Sequence, residues 1–144
     1  MRSILLVDDD REVRELVSFK LGRQGVEVVT ACDGEAGLEA VELLHPDLAL
    51  LDWTMPKLSG LELCRLIRYR PDTTDIPVII LSAHAHETDI RHARDAGADD
   101  YIVKPFNANE LLGRIEAVVA RRATALASLY PMAADAGAET RRQT

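Results

Sequence analysis

The sequence predicts an α/β domain: a doubly wound, five-stranded parallel sheet in the order 2-1-3-4-5, with helices on both faces. Two observations predict it. Five short apolar runs alternate with five stretches of helical spacing, and most of the apolar runs have no polar break. Unbroken apolar strands are typical of parallel sheets that are covered on both sides. This alternation implies right-handed crossovers, and the order 2-1-3-4-5 suits a chain of 144 residues.

The composition is that of an ordinary globular domain, with 47% hydrophobic and 28% charged residues. The net charge of −7 argues against direct nucleic-acid binding by this segment, because phosphate binding needs clustered lysine and arginine. No stretch approaches the roughly 20 apolar residues of a membrane span, and the apolar run at 4–7 is too short for a signal peptide. We therefore expect a cytoplasmic protein that does not contact the membrane. Cys32 and Cys64 lack the spacing of a redox motif or zinc site, so each is expected to be a small core residue.

The first strand, Ser3–Val7, stops abruptly at a run of three aspartates. The third of them, Asp10, is placed to cap a helix that extends to about Gly22. The apolar positions of this helix are Val13, Leu16, Val17 and Leu21. A second strand is predicted at 26–30, and the Asp33–Gly34 pair then opens a helix that ends at His45–Pro46. The apolar face of this second helix comprises Leu38, Val41 and Leu44.

The third strand, Leu48–Leu51, runs without a polar break into Asp52. Asp52 is therefore predicted at the carboxyl end of a buried strand, which is the edge where ligands bind in open α/β sheets. The Met55–Pro56 pair forces an irregular connection after it. Ser59 and Glu62 then have the spacing of a capping box, which predicts the start of the third helix.

The fourth strand, at 77–81, runs into Ser82. The segment 87–96 favours a helix but has a narrow apolar face, so we expect it to pack loosely and to be mobile. A fifth strand at 99–103 leads to Lys104, and Asn107 is placed to cap a last helix that runs to about residue 122. We therefore expect one domain at 1–122, followed at 123–144 by a helix extension, a linker or a disordered tail.

Four of the five predicted strands end in or near a side chain that can bind a ligand or take part in a reaction. These side chains are Asp8, Asp9, Asp52, Ser82 and Lys104. Carboxylates that lie close together repel one another unless a cation lies between them, and ligand sets made of oxygen suit Mg²⁺ or Mn²⁺. A metal ion, the Lys104 ammonium and the Ser82 hydroxyl together make a clamp for the oxygens of a phosphoryl group in transfer. Asp52 is then the predicted nucleophile, which would form an aspartyl phosphate.

The chain resembles the receiver domain of two-component response regulators, the CheY-like family, from residue 1 to about residue 122. Several motifs carry the resemblance, in the family's order and spacing. They are Leu6–Asp10, Leu51–Pro56 with Ser59–Gly60, Leu81–Ala83, Gly97–Tyr101 and Lys104–Phe106. The resemblance implies a flavodoxin-like fold and a phosphoprotein that acts in signal transduction or a phosphorelay, with its phosphoryl group supplied by a histidine kinase or a small phosphodonor.

The resemblance also implies a role for each site residue. Magnesium would be bound by Asp9, Asp52 and the backbone carbonyl of Thr54, with Asp8 acting through water. Ser82 and Lys104 would hold the phosphoryl group, and the Lys104–Pro105 peptide would be cis. Tyr101 would be a switch aromatic that moves inward as Ser82 approaches the phosphate, which changes the face made by helix 4, strand 5 and helix 5. Thr54 and His84 would modulate dephosphorylation.

One position departs from the pattern of receivers in winged-helix transcription factors. Those receivers resemble one another in a basic residue early in helix 4 that pairs with an acidic residue at the start of helix 5. Glu110 supplies the acidic residue here, but Ile90 stands at the basic position. A weak homodimer is the most we expect through this face, and Ile90 suits an apolar docking patch instead. The expected partners are a sensor histidine kinase or phosphotransfer protein, and a downstream protein or an effector domain missing from this sequence.

Two other classes of protein share part of this pattern. A haloacid-dehalogenase-like phosphatase also combines magnesium with an aspartate nucleophile, but it needs a second aspartate two residues later, where this chain has Thr54. A nucleotide-binding flavodoxin-like protein needs a phosphate-cradling loop after a strand, and the aspartates at 8–10 would repel phosphate there. Within the receiver interpretation, both a stand-alone receiver and the N-terminal part of a larger regulator stay open.

Overall fold

A computed structural model describes residues 3–129, apart from the side chains of residues 126 and 127. Within this range the chain alternates strands and helices, beginning with a strand. The strands are β1 Ser3–Val7, β2 Glu27–Ala31, β3 Leu48–Asp52, β4 Val78–Ser82 and β5 Asp100–Val103. The helices are α1 Arg11–Gly22, α2 Gly34–Leu44, α3 Gly60–Tyr69, α4 Glu87–Asp95 and α5 Ala108–Leu129.

The strands form one parallel sheet in the order β2-β1-β3-β4-β5, which confirms the predicted topology. Strand β1 pairs with β2 on one side and with β3 on the other, so that Val7 lies opposite both Ala31 and Leu51. The direction of the crossovers therefore reverses between β1 and β3. In a doubly wound sheet this reversal opens a crevice at the carboxyl ends of the two strands.

Two buried apolar layers hold the helices against the sheet. Side chains alternate between the layers along each strand, as the pleat of a strand requires. In β1, Leu5 and Val7 face the layer that contains residues of α2, α3 and α4. Ile4 and Leu6 face the opposite layer, which contains residues of α1 and α5. Both faces of the sheet are covered, which explains why β1, β3 and β4 are apolar without a break.

The helix starts follow the capping residues that the sequence predicts. Asp10 accepts a hydrogen bond from the amide of Glu12 (2.9 Å), and Asp33 accepts one from the amide of Ala36 (2.8 Å). The other two caps are the Ser59 hydroxyl, bonded by the amide of Glu62 (3.2 Å), and the Asn107 side chain, bonded by the amide of Glu110 (2.7 Å). Each bond satisfies an amide that the first turn of a helix leaves without a partner.

Three apolar residues predicted on buried positions are largely exposed. Cys32 is exposed because it follows the last residue of β2, where the chain leaves the sheet for α2, whereas Cys64 in α3 is buried. Leu44, the last residue of α2, is 52% exposed, and Leu16 of α1 is 48% exposed. Helical spacing predicts which residues share a face, but it does not show how far along the helix the sheet covers that face.

Asp99 holds the amino ends of β4 and β5 to α3 and α5. Its carboxylate accepts hydrogen bonds from the Arg68 guanidinium (2.8 Å), the amide of Val78 (2.8 Å) and the Arg122 guanidinium (2.9 and 3.0 Å). Charged side chains this far from solvent are normally paired and hydrogen-bonded in this way. The network therefore fixes the end of the sheet opposite the crevice.

The last helix extends over 22 residues to Leu129, and positions 123–125 on it are exposed. Of the alternatives predicted for 123–144, the helix extension therefore describes the part up to Leu129, and the rest of that segment, 130–144, lies outside the described residues. On α4, Ala93 is buried and Ile90 is half-buried, which matches the narrow apolar face; its mobility stays a prediction. Among the described residues, no helix is both long and apolar enough to cross a membrane.

Candidate functional site

Four neighbouring strands deliver polar side chains to the same edge of the sheet. Asp8 directly follows β1, Asp52 ends β3, Ser82 ends β4 and Lys104 directly follows β5. Because all strands are parallel, these carboxyl ends lie side by side in the order of the sheet. The site therefore consists of residues that are far apart in sequence and are gathered by the topology alone.

Three carboxylates meet in the crevice. Asp8, Asp9 and Asp52 each offer an oxygen atom, and these atoms all lie within 4.8 Å of one another. Asp8 is fully buried and Asp52 is 7% exposed, whereas Asp9 is exposed at the mouth of the crevice. An all-oxygen donor set with a net negative charge fits a hard divalent cation such as Mg²⁺ or Mn²⁺. The residues present therefore fit the metal ion that the sequence predicts.

Lys104 supplies the positive charge of the crevice. Its Nζ atom lies 2.8 Å from Oδ2 of Asp8 and 3.2 Å from Oδ1 of Asp52. The amide of Lys104 donates to the carbonyl of Ser82 (2.8 Å), which fixes the start of the loop after β5. The peptide bond between Lys104 and Pro105 is cis. The ammonium thus bridges two acidic residues from different strands.

The protonation of the crevice reflects this crowding. Burial raises the pKa of Asp52 to about 7, and the nearby charge of Asp8 adds to this effect, while Lys104 opposes it. Burial also disfavours the charged form of Lys104, but the hydrogen bond and charge of Asp8 outweigh it and raise the pKa of Lys104. The lysine therefore stays charged, whereas burial disfavours the ionised form of Asp52.

Ser82, His84 and Tyr101 form a chain of hydrogen bonds beside Asp52. The hydroxyl oxygen of buried Ser82 accepts a hydrogen bond from the amide of His84 (3.0 Å). The Tyr101 hydroxyl donates to the backbone carbonyl of His84 (2.6 Å), and the Tyr101 side chain is buried. Burial raises the pKa of the Tyr101 phenol. The His84 backbone thus joins the end of β4 to the aromatic residue of β5.

Two predicted site residues are exposed on loops that leave the carboxyl ends of the strands. Thr54 is exposed on the loop that follows β3, and His84 is exposed on the loop that follows β4. The His84 ring packs edge-on against the indole ring of Trp53, with centroids 5.9 Å apart. Both loops therefore border the crevice, with Asp52 at its floor.

Sequence reasoning missed two residues beside Asp52. The indole ring of Trp53 packs edge-on against Tyr101, with centroids 6.0 Å apart. Gly60 lies so close to the backbone of Asp52 that a Cβ atom on it would be 2.2 Å from the Asp52 carbonyl oxygen. Trp53 could have been recognised from its position directly after Asp52. Gly60 could have been recognised from the Ser59–Gly60 pair at the start of the third helix.

Comparison with known proteins agrees with this geometry. The family model of the response regulator receiver domain matches residues 4–116. The phosphate regulon transcriptional regulatory protein PhoB of Klebsiella pneumoniae is 42% identical over 120 residues, which are 83% of this chain and 52% of PhoB. The transcriptional regulatory protein CseB of Streptomyces avermitilis is 46% identical over 118 residues, 82% of this chain and 49% of CseB. The chain therefore spans about half the length of these relatives.

Solved structures of the same kind share the fold. The chemotaxis response regulator CheY4 of Vibrio cholerae matches with a TM-score of 0.79 at 30% identity, over 82% of this chain and 98% of CheY4. A putative response regulator from Chloroflexus aurantiacus matches with a TM-score of 0.79 at 34% identity, over 83% of this chain and 98% of the Chloroflexus chain. Fold, sequence and family model agree, and the chain belongs to the response regulator receiver domain family of two-component systems.

Proposed function

We propose that Asp52 is the phosphoacceptor of this receiver domain and that it is phosphorylated with Mg²⁺, or Mn²⁺, bound beside it. The observation that carries the proposal is the position of the Asp52 carboxylate, which lies within 4.8 Å of the Asp8 and Asp9 carboxylates and 3.2 Å from the Lys104 ammonium. Asp8, Asp9, Asp52 and the backbone carbonyl of Thr54 are the proposed ligand residues. The bound ion supplies positive charge that offsets the carboxylates and the oxygens of the incoming phosphoryl group.

The phosphodonor is proposed to be a sensor histidine kinase, a phosphotransfer protein or a small phosphodonor. A carboxylate oxygen of Asp52 attacks phosphorus, and the P–N bond to the donor imidazole breaks as the O–P bond forms. The electron pair of the broken bond stays on the imidazole nitrogen, which takes up a proton. The mixed anhydride is hydrolysed later, so the domain assists its own phosphorylation and dephosphorylation but acts as a signalling domain.

Lys104 and Ser82 are proposed to hold the transferred group. Lys104 pairs with Asp8 and Asp52 at rest, so its ammonium already lies within reach of an oxygen attached to Asp52. The Ser82 hydroxyl uses its oxygen to accept from His84, and its hydrogen is the proposed donor to a phosphoryl oxygen. Thr54 and the His84 side chain border the entrance, where they are proposed to set how easily water reaches the phosphoryl group.

The hydrogen-bond chain from Ser82 to Tyr101 is proposed to carry the signal away from the site. Movement of Ser82 toward the phosphoryl group pulls the His84 backbone, which holds the Tyr101 hydroxyl. Tyr101 lines a groove of about 310 Å³ between α4, β5 and α5, together with Ile90 and several charged side chains. A shift of Tyr101 therefore changes the surface that we propose binds a partner or, weakly, a second copy of the chain.

The output is proposed to lie outside residues 1–122, which we propose as the receiver domain. Both named relatives are transcriptional regulatory proteins, and the matching part is about half of each. This favours an effector domain that is missing from the sequence over a stand-alone receiver. The charge of −7 supports a receiver segment that does not itself bind nucleic acid, and we propose a cytoplasmic location. A magnesium-dependent phosphatase is disfavoured because Thr54 stands where that reaction needs an acid.

The proposal is tested by incubating the purified chain with phosphoramidate and Mg²⁺ and recording the intact mass. We expect one phosphate adduct on the wild type, none on Asp52→Asn and none when EDTA replaces Mg²⁺. An adduct of equal yield on Asp52→Asn would place the acceptor elsewhere, and an adduct of equal yield in EDTA would contradict the role of the metal.

A further inference from the structure

The loop between β3 and α3, residues 53–59, is supported by the first turn of α2. We infer that Gly34 and Lys57 are positioning residues for this loop: they seat it on α2 so that the Thr54 backbone stays at the mouth of the crevice. The inference rests on the proposed function, because it concerns how tightly the same crevice binds Mg²⁺. Neither residue belongs to the crevice itself.

Gly34 allows the loop and the helix to touch backbone to backbone. A Cβ atom at this position would lie 2.3 Å from the carbonyl oxygen of Leu58 and 2.4 Å from the Leu58 Cβ atom. Contacts this short do not occur between real atoms, and the backbone oxygen cannot turn aside as a flexible side chain would. Any larger residue at 34 therefore has to push the loop away from the helix.

Lys57 adds charge pairing across the same contact. Its Nζ atom lies 3.7 Å from Oδ2 of Asp33 and 3.7 Å from Oε2 of Glu35, the two residues that flank Gly34. The other carboxylate oxygen of Asp33 caps α2 through the amide of Ala36, so one side chain both starts the helix and receives the lysine. Lys57 has a φ of 71°, a left-handed conformation that turns the loop toward α2.

The loop is also fixed where it rejoins α3. The amide of Gly60 donates to the carbonyl of Trp53 (2.9 Å), and Gly60 packs against the backbone of Asp52. Between these anchors, Met55 is buried and only Thr54 and Pro56 are exposed before Lys57. Thr54 lies between the end of β3 and the part of the loop that contacts α2. We therefore infer that a shift of the loop on α2 moves the carbonyl of Thr54 as well. Groups that orient a metal ligand commonly change the affinity for the metal without touching it.

The test compares Gly34→Ala with a matched control, Gly113→Ala in α5, where an added Cβ atom would meet nothing within 4 Å. Mg²⁺ affinity is read from the fluorescence of Trp53, the one tryptophan of the chain. Amide hydrogen exchange of residues 53–59 is measured in EDTA, which makes this second readout independent of any bound metal. For Gly34→Ala we expect the Kd for Mg²⁺ to rise about tenfold or more and exchange in the loop to accelerate, with Gly113→Ala unchanged in both.

Lys57 variants provide a test that does not strain the fold, because the side chain is 55% exposed. Lys57→Gln is expected to weaken Mg²⁺ binding by about twofold, since exposed ion pairs are weak, and Lys57→Arg is expected to restore the wild-type Kd. These variants decide the matter if Gly34→Ala does not fold.

The outcomes separate this inference from the proposed function. A wild type that neither binds Mg²⁺ nor takes up phosphate would contradict the proposed function. A wild type that does both, with Gly34→Ala or Lys57→Gln matching it in Kd and in loop exchange, would overturn the positioning role alone. Faster loop exchange with an unchanged Kd would also overturn it, because the loop would then be seated by α2 without affecting the metal.

Discussion

The ammonium of Lys104 lies 2.8 Å from the fully buried carboxylate of Asp8, a residue 96 positions away in the sequence. The same ammonium is 3.2 Å from Asp52, so one positive charge offsets two acidic residues. Asp9 brings a third carboxylate to the same crevice. The cluster therefore has an excess of negative charge, which a bound divalent cation would offset.

Mg²⁺ is expected to stabilise the protein against heat because it relieves repulsion among Asp8, Asp9 and Asp52. At about 100 times the Kd, a ligand that binds only the folded state adds about 2.7 kcal/mol to the free energy of unfolding. Asp52→Asn should reduce this gain. Thermal unfolding followed by circular dichroism measures it, with KCl at equal ionic strength as the control. A melting curve that Mg²⁺ leaves unchanged would count against the metal site.

Without a metal ion, stability should fall as the pH rises from about 4 to about 7. The folded pKa of Asp52 is raised to about 7 from an ordinary value of 3.8, so the folded state holds the proton more tightly than the unfolded chain does. The Asp52 proton makes its full contribution to the free energy of unfolding below the unfolded pKa. This contribution, up to about 4 kcal/mol, is lost as the pH rises through the folded pKa. Urea unfolding in EDTA tests this. The wild type and Asp52→Asn should differ in slope over this window, and parallel pH profiles would refute the shift.

Replacing Lys104 with methionine keeps its apolar stem and removes its charge. Asp8 and Asp52 would then be buried without a cation, which typically costs about 3 kcal/mol or more. We expect a lower free energy of unfolding in EDTA, partial recovery in Mg²⁺, and slow phosphorylation. Lys20→Met, at an exposed lysine of α1, is the matched control and should leave both measurements near the wild type. Equal stability of the two variants would show that Lys104 does not neutralise the crevice.

The two cysteines should differ sharply in reactivity. Cys32 is exposed, whereas burial raises the pKa of the Cys64 thiol to about 11 and removes it from solvent. Iodoacetamide is therefore expected to modify one thiol in the folded protein and two after denaturation. Mass spectrometry of Cys32→Ser checks the assignment, because this variant should stay unmodified until it unfolds. Labelling of folded Cys32→Ser would mean that Cys64 is accessible.

The sheet could be predicted from sequence because its strands are buried on both faces. Leu48–Leu51 has no polar residue, and the change to Asp52 marks the edge of the sheet. With the strand order 2-1-3-4-5, parallel pairing places the strand ends that carry Asp8, Asp52 and Lys104 at one edge of the sheet, which is why the crevice could be predicted from strand ends. The caps were predictable for a similar reason, since a capping bond joins residues two or three positions apart.

Features that depend on contacts between distant segments were not predictable. The exposure of Cys32 and Leu44 depends on where the sheet ends over each element, which no local pattern records. The close contact of Gly34 with Leu58 joins the first residue of α2 to the loop after β3, and the two residues are 24 positions apart in the sequence. A helix extension was one of three alternatives predicted after residue 122, but its length could not be predicted, because the last turns of α5 lack the apolar stripe that indicates a packed helix.

The most direct test of the central claim is to locate the covalent phosphate. The chain is treated with phosphoramidate and Mg²⁺, the acyl phosphate is reduced with borohydride, which converts a phosphorylated aspartate into homoserine, and the peptides are sequenced by mass spectrometry. Homoserine at position 52, absent when Mg²⁺ is replaced by EDTA, is the predicted result. Homoserine at another aspartate, or at none while the intact protein carries phosphate, would contradict the assignment of Asp52 as the acceptor.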